Sequence, residues 1–360
     1  MTQPSSFAPR HWLALGSCIT TALCAVGCTQ TIRGGLAVSE RQQFRNEAVM
    51  VLKDAALSDD PYLTSNAIEA ISESSASDAA IAIEKNLETG NRAVTFAALV
   101  GLGTMRKADM IEKYRAAAGD PDPNVRVAAI YALHRCGDTS RMNELGQLLT
   151  RDTHAAVRAN AAFVLGRIGD ESATRVLRAA LAREQDELAR RGMLEALATL
   201  KDRRSVNSLI AYGYSADPGQ ATAGLGALGN ARCTEAQGLF LDRLNRAEAP
   251  EVKLQAARGL GRIGYRGYDA SNMLDLATAH LFFRTPTVKD PNEPADVQIR
   301  RVRALAALAC EAIGSPEALK PLKAAFDAPG QNPYVRVAVA RAAVGIIDAT
   351  EGRRTAAVVP

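Results

Sequence analysis

Two stretches of this sequence share one pattern, and that pattern predicts the fold of the whole chain. Residues 120–138 read DPDPNVRVAAIYALHRCGD, and residues 152–170 read DTHAAVRANAAFVLGRIGD. Matching positions lie 32 residues apart. A fixed period of this length is typical of a stacked repeat array, in which each repeat is one supersecondary unit.

Each copy has the spacing of a helix. Val125, Ala129 and Leu133 recur at intervals of four, which places them on one helical face. Pro123 stands at the start, where proline is tolerated, and Gly137 follows the last apolar turn, where helices commonly stop. A further amphipathic segment separates successive copies. One unit is therefore two short antiparallel helices, which cannot bury their apolar faces alone.

The same unit can be followed along most of the chain. With Val125 as the reference position, its equivalents are Leu63, Val94, Val157, Ala189, Gln220, Val252, Val302 and Val335. Nine units of 31–33 residues predict an all-α solenoid. The glycine-rich Gln220 unit is the weakest copy and a candidate bend. The step from Val252 to Val302 is about 18 residues longer than the others, and we place the excess in a loop at about 284–296, between the two helices of the eighth unit.

This pattern resembles the short HEAT-like repeats of the PBS-lyase type. The resemblance rests on Val-Arg pairs such as Val125-Arg126, on the alanines that follow them, and on Leu165-Gly-Arg-Ile-Gly169. It covers residues 39–350 and implies an α-solenoid, or superhelix, of about nine helix pairs. It implies little about activity.

The resemblance also implies a structural ladder. In repeats of this kind, an acidic residue six positions before the arginine often joins it in a ladder between successive turns. This sequence has that spacing three times, at Asp120 and Arg126, Asp152 and Arg158, and Glu184 and Arg190. We therefore interpret these arginines as structural residues.

Residues 1–27 have the plan of a secretory signal peptide. Arg10 precedes an uncharged run over residues 12–26, which is shorter than the ~20 apolar residues that cross a membrane. Ala25-Val-Gly-Cys28 resembles the lipobox of bacterial lipoproteins, which implies cleavage and acylation at Cys28. Ala25 replaces the usual leucine, so plain secretion and an uncleaved anchor remain alternatives.

The export signal predicts a location for the mature protein. We expect a lipid anchor at the bacterial cell envelope, facing the periplasm, with residues 28–38 as a flexible tether. Thr29 replaces the aspartate associated with inner-membrane retention, which favours the outer membrane if the cell has one. Residues 351–360 lack an apolar period, and we interpret them as a disordered tail.

Composition and charge argue against a nucleic-acid partner. The net charge is +4, and removal of the segment before Cys28, whose one charged residue is Arg10, leaves +3. A nucleic-acid surface normally carries a clustered basic stripe. Aromatic residues make up only 5% of the chain, which suits helix-on-helix packing.

No metal, cofactor or catalytic group is predicted. The histidines, at 11, 134, 154 and 280, form no His-Glu or His-x-x-x-His pair, and this separates the chain from HEAT-type metal hydroxylases. We expect His134 to be solvated. Cys136 and Cys310 occupy apolar positions typical of small buried thiols, and Cys233 is distant from both. Gly224-Leu-Gly-Ala-Leu-Gly229 falls on a repeat's second helix, so a phosphate loop is not expected there.

The second helices supply the candidate binding residues. The position six after the reference points away from the repeat core, and it holds Tyr131, Phe163, Glu195, Arg258 and Arg341. Aromatic and arginine side chains are enriched at protein interfaces. In a solenoid these helices line the concave face, the usual binding surface. The competing interpretation is that Tyr131 and Phe163 pack against adjacent turns.

These patterns favour a non-catalytic scaffold that binds a protein or peptide partner on its concave face. The alternative is an enzyme resembling the bilin lyases, or a pigment-binding protein, because short repeats of this type occur in such proteins. Export, and the lack of a placed acid, base or nucleophile, count against it. Nucleic-acid binding is a third and weaker hypothesis.

Overall fold

The structure is a computed structural model that describes residues 35–286 and 293–353, which belong to one compact unit. These residues form eighteen α-helices and no β-strand, which confirms the all-α prediction. The helices alternate between an outer and an inner layer, so the nine predicted units are nine helix pairs.

The outer layer holds the first helix of each pair. Its helices are α1 (Val38–Ala55), α3 (Ala80–Glu84), α5 (Ile111–Ala117), α7 (Met142–Arg151), α9 (Ala173–Leu181), α11 (Arg203–Gly213), α13 (Gln237–Arg246), α15 (Ala270–His280) and α17 (Leu319–Phe326). The inner layer consists of α2 (Pro61–Ser72), α4 (Arg92–Thr104), α6 (Pro123–Arg135), α8 (Ala155–Ile168), α10 (Glu187–Thr199), α12 (Pro218–Asn230), α14 (Pro250–Arg262), α16 (Ala295–Ile313) and α18 (Pro333–Thr350).

Local sequence explains where the inner helices begin and end. The side chains of Asp60, Asn91 and Asp122 accept hydrogen bonds from the first free backbone N–H groups of α2, α4 and α6. Five inner helices start with proline, where no intrahelical N–H bond is lost. At the other end, Gly169 closes α8 in the left-handed region, at φ 78°.

Small residues allow the inner helices to approach one another closely. A Cβ atom on Gly103 of α4 would lie 2.8 Å from the Cα of Ala132 in α6, which is too close for any side chain. Ala129, Leu133 and Ala161 are buried in the continuous layer between inner and outer helices. Each unit thus covers the apolar face of the next.

The helix pairs close into a ring. Each inner helix packs against the next from α2 to α18, and α18 then packs against both α1 and α2. At this junction Arg45 Nε lies 2.7 Å from an Asp348 carboxylate oxygen, and Tyr334 donates a hydrogen bond to Asp60. The concave face is therefore the enclosed interior of a ring and not an open groove, because the turn between neighbouring units brings the two ends together.

The predicted long insertion joins α15 to α16. Residues 281–294 connect these helices, and 287–292 lie outside the described residues. The excess length is shared with α16 itself, which begins at Ala295, seven residues before the reference Val302. The insertion thus lengthens an inner helix as well as a connection.

Several expectations concern parts of the chain outside the described residues. The signal peptide, Cys28, most of the tether and most of the tail belong to this group. None of the helices formed by residues 35–286 and 293–353 is long and apolar enough to cross a membrane.

Candidate functional site

Charged side chains from five inner helices meet inside the ring. We call them the interior cluster: Glu69 of α2 and Glu73 directly after it, Arg167 of α8, Arg258 and Arg262 of α14, Glu311 of α16 and Arg341 of α18. Four arginines and three glutamates leave one excess positive charge. Most of these residues stand six or ten positions after their repeat's reference residue, so successive turns of each helix point inward.

Arg341 joins the two ends of the ring through three carboxylates. Its guanidinium lies 3.1 Å from Glu69, 2.8 Å from Glu73 and 3.1 Å from Glu311. Its side chain is 9% exposed. Burial alone would lower the pKa of Arg341, but the three carboxylates outweigh burial and raise it. Arg341 is therefore held rigidly and fully charged.

Arg167 is held by a different set of groups. Its guanidinium lies 5.5 Å from the centre of the Phe163 ring and 6.0 Å from that of Tyr131, within the range of cation–π attraction. It donates a hydrogen bond of 3.2 Å to the hydroxyl of Thr104, which is also 3.2 Å from the Tyr131 hydroxyl. Glu73 lies 3.9 Å away. These contacts orient Arg167 without a close carboxylate.

Arg258 and Arg262 stand one turn apart on α14, and their surroundings differ from those of Arg341 and Arg167. By accessible surface both are only partly buried, and the opposite charges that act on them are the carboxylates of Glu69, Glu73 and Glu311. Burial, together with the neighbouring Arg262 and Arg341, lowers the pKa of Arg258 to about 9. Burial likewise lowers the pKa of Arg262.

Water reaches part of the interior. The Glu69 side chain is 51% exposed, although the arginines of α8, α14 and α18 surround its carboxylate. Arg341 lowers the pKa of Glu69 below its ordinary value, so the carboxylate is ionised at neutral pH. Phe163 is 39% exposed on the same inner surface. The inner surface thus keeps some charged and aromatic groups accessible to water.

The structure brings together four of the five predicted binding residues. Tyr131 and Phe163 flank Arg167, while Arg258 and Arg341 lie near Glu69. Glu195 lies elsewhere on the inner surface and accepts a hydrogen bond of 2.8 Å from Asn230. The expectation that all five are open to solvent is wrong for Tyr131 and Arg341, which are 2% and 8% exposed. Ring closure and packing of neighbouring inner helices cover both.

Sequence reasoning missed most of the interior cluster. Glu73, Arg167 and Arg262 stand ten residues after their reference positions, one turn beyond the positions that were considered. Charged residues recur at the position ten after the reference, and this recurrence in the sequence could have identified them as inward-pointing. Glu69 stands at the expected position six, but its repeat is divergent and its arginine partner lies 272 residues away in the chain.

The predicted ladder takes a modified form. Arg158 bonds the Glu184 carboxylate at 2.7 Å, which connects one turn to the next and lowers the pKa of Glu184 to about 2. Asp152, six positions before Arg158, contributes its backbone carbonyl at 2.9 Å. Asp120 likewise accepts from Arg126 through its backbone carbonyl, at 2.9 Å.

Two arginines of the predicted ladder contact side chains other than their predicted acidic partners. Arg126 pairs with Glu144 on α7 at 3.0 Å, not with an aspartate of the repeat pattern. Arg190 lies close enough to Tyr212 to act on the pKa of its hydroxyl, and that hydroxyl donates a hydrogen bond of 2.9 Å to Glu187. Connecting turns therefore supply backbone carbonyls at fixed positions, whereas the carboxylate partner depends on which side chain reaches the arginine.

Histidines and thiols offer little reactive chemistry. His134 is half-buried rather than solvated, and burial, together with Arg135, lowers its pKa, so it is neutral at pH 7. Burial raises the pKa of Cys233 to about 11 and that of Cys310 to about 12. Cys136 is half-buried. Over residues 35–286 and 293–353, no three His, Cys, Asp or Glu residues are grouped as metal ligands would be.

Two family models match parts of the chain. A model described as HEAT repeats matches residues 142–226, and one described as PBS lyase HEAT-like repeat matches residues 302–328. No curated protein matches the sequence significantly.

Two solved structures show distant similarity. One is from the complex of CpcE and CpcF of phycocyanin lyase from Nostoc sp. PCC7120, at 19% identity over 62% of this chain and 91% of that chain, with a TM-score of 0.42. The other is human deoxyhypusine hydroxylase in complex with glycerol, at 17% identity over 86% of this chain and 99% of that chain, with a TM-score of 0.33. At these scores neither similarity bears on what this chain does. The nine helix pairs and the two family models identify the chain as a HEAT-like repeat protein.

Proposed function

We propose that this protein is a non-catalytic ring that holds an extended peptide segment of a protein partner in its interior, at the bacterial cell envelope. The observation that carries the proposal is the combination of water-accessible and charged groups inside the ring. Phe163 and Glu69 remain 39% and 51% exposed there, beside arginines that carry an excess charge. Aromatic and guanidinium groups are the residue types on which binding energy concentrates.

Ring closure narrows the class of ligand. Tyr131 and Arg341 are buried, so the free inner surface is limited to residues such as Phe163 and the α14 arginines. A folded domain cannot lie along an enclosed face, whereas an extended chain or a chain end can. This modifies the expectation of a broad concave interface while keeping the same inner helices as the binding surface.

Site-specific cross-linking tests the location of the ligand. A photoreactive phenylalanine analogue at position 163 should capture a peptide-bearing partner from envelope extracts, identified by mass spectrometry. The matched control places the same analogue at Tyr268, which is 93% exposed between α14 and α15. Capture from position 268 but not from 163 would reject the interior as the binding surface.

A substitution tests the energetic role of the same residue. Phe163→Ala should weaken capture about tenfold, because a buried aromatic contact in a complex is worth ~1–2 kcal/mol. The stability of the variant should change little, since the phenyl side chain of Phe163 is partly exposed in the free protein. Ile81→Ala, which truncates a 62% exposed residue of α3, is the control.

The envelope location depends on the N-terminal segment. The proposal places a lipid on Cys28 and the ring on the periplasmic side, with the outer membrane as the expected site where one exists. Labelling with a fatty-acid analogue should mark the wild type and not Cys28→Ala, and the variant should leave the membrane fraction. Labelled Cys28→Ala would contradict the assignment.

A lyase-like function is the second candidate, favoured by the match of residues 302–328 to the PBS lyase HEAT-like repeat model. It predicts a change in the absorbance spectrum when the purified protein is incubated with a bilin and an acceptor protein. The raised pKa values of Cys233 and Cys310 make these thiols poor nucleophiles. Pigment transfer by a variant that lacks both Cys233 and Cys310 would show that another group is the nucleophile.

A further inference from the structure

A cavity of about 100 Å³ spans the seam on the inner surface of the ring. Three inner helices form its walls: α2 from one end of the chain, and α16 and α18 from the other. Leu308 and Arg341, which line it, both stand six positions after their reference residues, and those positions face the interior. We call this space the seam cavity.

Most of the wall of the seam cavity is aliphatic. It is lined by Leu63, Ala304, Leu308, Val337 and Ala338. Leu63, Ala304 and Leu308 are only partly buried, so water reaches this part of the wall. Binding of an apolar group would remove that surface from water, which is favourable.

The polar groups beside this aliphatic surface already have partners. Arg341 contacts three carboxylates of the interior cluster. The Tyr334 hydroxyl donates a hydrogen bond to Asp60, and the centre of its ring lies 5.5 Å from that of Tyr62 and 5.1 Å from the guanidinium carbon of Arg300. A charged ligand group would have to displace one of these contacts, whereas an apolar group would not.

The volume of the seam cavity sets the size of the group that fits. An apolar cavity of ~150 Å³ in a protein core binds benzene, which has six carbon atoms. The seam cavity, at about 100 Å³, has about two thirds of that volume and holds about four carbon atoms by the same measure. That is the size of a leucine or isoleucine side chain.

We propose that the seam cavity binds one branched aliphatic side chain, leucine or isoleucine, of the peptide held in the ring. The assignment to a peptide rests on the proposed function; the site itself rests on the cavity. Leu63 belongs to one end of the chain and Val337 to the other, so the cavity is complete only when the ring is closed. A ligand that binds only the closed ring must stabilise it, and the bound side chain would therefore help to hold the seam.

The first test uses the full chain and the N-acetyl amides of leucine, alanine and phenylalanine as probes. The leucine probe should raise the Tm most, because alanine leaves the cavity unfilled and phenylalanine exceeds it. Ala304→Leu, which fills the cavity, should abolish the effect of the leucine probe. Ala211→Leu, the same change at an exposed position of α11, should preserve it. Equal shifts with all three probes, no shift, or an unchanged shift in a folded Ala304→Leu variant would overturn the site.

A second variant keeps the site testable if Ala304→Leu does not fold. Leu308→Ala removes about three carbon atoms from the wall and enlarges the cavity. The preference should then reverse, with the phenylalanine probe binding more tightly than the leucine probe, measured by calorimetry. If Leu308 only stabilises the fold, the variant will have a lower Tm and an unchanged preference, and that result would overturn the site.

A pair of peptides tests the link to the proposed function. A hexapeptide of glycine and serine with a single leucine should bind about tenfold or more tightly than the same peptide with alanine in that place, because the leucine side chain buries more apolar surface. The difference should vanish in Ala304→Leu. Equal binding of the two peptides would overturn this inference while supporting the peptide-binding ring. Binding of the leucine probe without binding of either peptide would support the site and reject the peptide function.

Discussion

Two junctions of the ring use the same packing but are held in different ways. At the seam, outer helix α1 lies between α18 and α2; on the far side, outer helix α11 lies between α10 and α12. Among neighbouring inner helices, α10 and α12 touch over the shortest stretch. The seam is bonded through the buried carboxylate of Asp348, whereas the α10–α12 junction has an exposed hydrogen bond from Asn230 to Glu195.

Chain connectivity explains the difference. The helices around the α10–α12 junction follow one another in sequence, so short connections keep them together whatever their side chains do. The two sides of the seam lie at opposite ends of the chain, with no covalent link between them. Noncovalent contacts alone must hold the seam: α18 packs on α1 and α2, and Arg45, Asp348 and Arg341 add ion pairs across it.

The largest effect is expected from Asp348→Asn at the seam. The Asp348 side chain is fully buried and accepts hydrogen bonds from Arg45, at 2.7 Å, and from Ser75, at 2.7 Å from its hydroxyl. Removal of one charge from a buried pair costs ~3–5 kcal/mol. Urea unfolding should show that loss, and small-angle scattering should show an opened ring.

The control for the seam is Arg45→Met combined with Asp348→Leu, which removes both charges. It should recover much of the lost stability, because no buried charge is left alone. A loss below ~1 kcal/mol in Asp348→Asn would mean that apolar packing of α1 closes the ring.

Acid should open the seam before it affects the α10–α12 junction. Burial would raise the pKa of Asp348, but Arg45 and Ser75 outweigh burial and lower it. Its stabilising contribution is therefore complete above the unfolded pKa of ~3.9 and is lost as the pH falls through the folded value. Hydrogen exchange in α1 and α18 should rise below pH 4, and Asp348→Asn should abolish that pH dependence.

Replacing a glycine by alanine should lower the stability at a tight contact between inner helices and raise it at an ordinary one. A Cβ on Gly261 of α14 would lie 2.6 Å from the backbone carbonyl carbon of Ala312 in α16, so Gly261→Ala should cost ~1–3 kcal/mol. A Cβ on Gly192 of α10 would meet Ala159 at an ordinary 3.4 Å, and Gly192→Ala should stabilise by up to ~1 kcal/mol through helix propensity. Thermal unfolding of both variants measures the contrast.

The smallest effect is expected at the α10–α12 junction. Asn230→Ala removes the hydrogen bond to Glu195, and because Asn230 is exposed the free energy of unfolding should change by less than ~0.5 kcal/mol. A loss comparable to that of Asp348→Asn would show that this junction, too, depends on specific side chains.

The repeats were predictable because each is specified locally. Caps such as Asp60 and Asp122, glycine stops and apolar spacing act within one unit, so nine helix pairs could be recognised before any tertiary contact was known. The Arg158–Glu184 connection was not among the predicted pairs, because the pattern matched each arginine to the acidic residue six positions before it. The weak Gln220 unit coincides with the least extensive junction of the inner layer, that of α10 and α12.

The sequence by itself determined a row of helix pairs and the residue types on their inner face. Only the tertiary structure decided that the row closes and that Tyr131 and Arg341 are buried. The physical reason is that small rotations between units accumulate over the whole array. The sequence of one repeat does not determine its small rotation closely enough to predict whether the two ends of the array will meet. Contacts such as that of Glu69 with Arg341 form only when the ends have met.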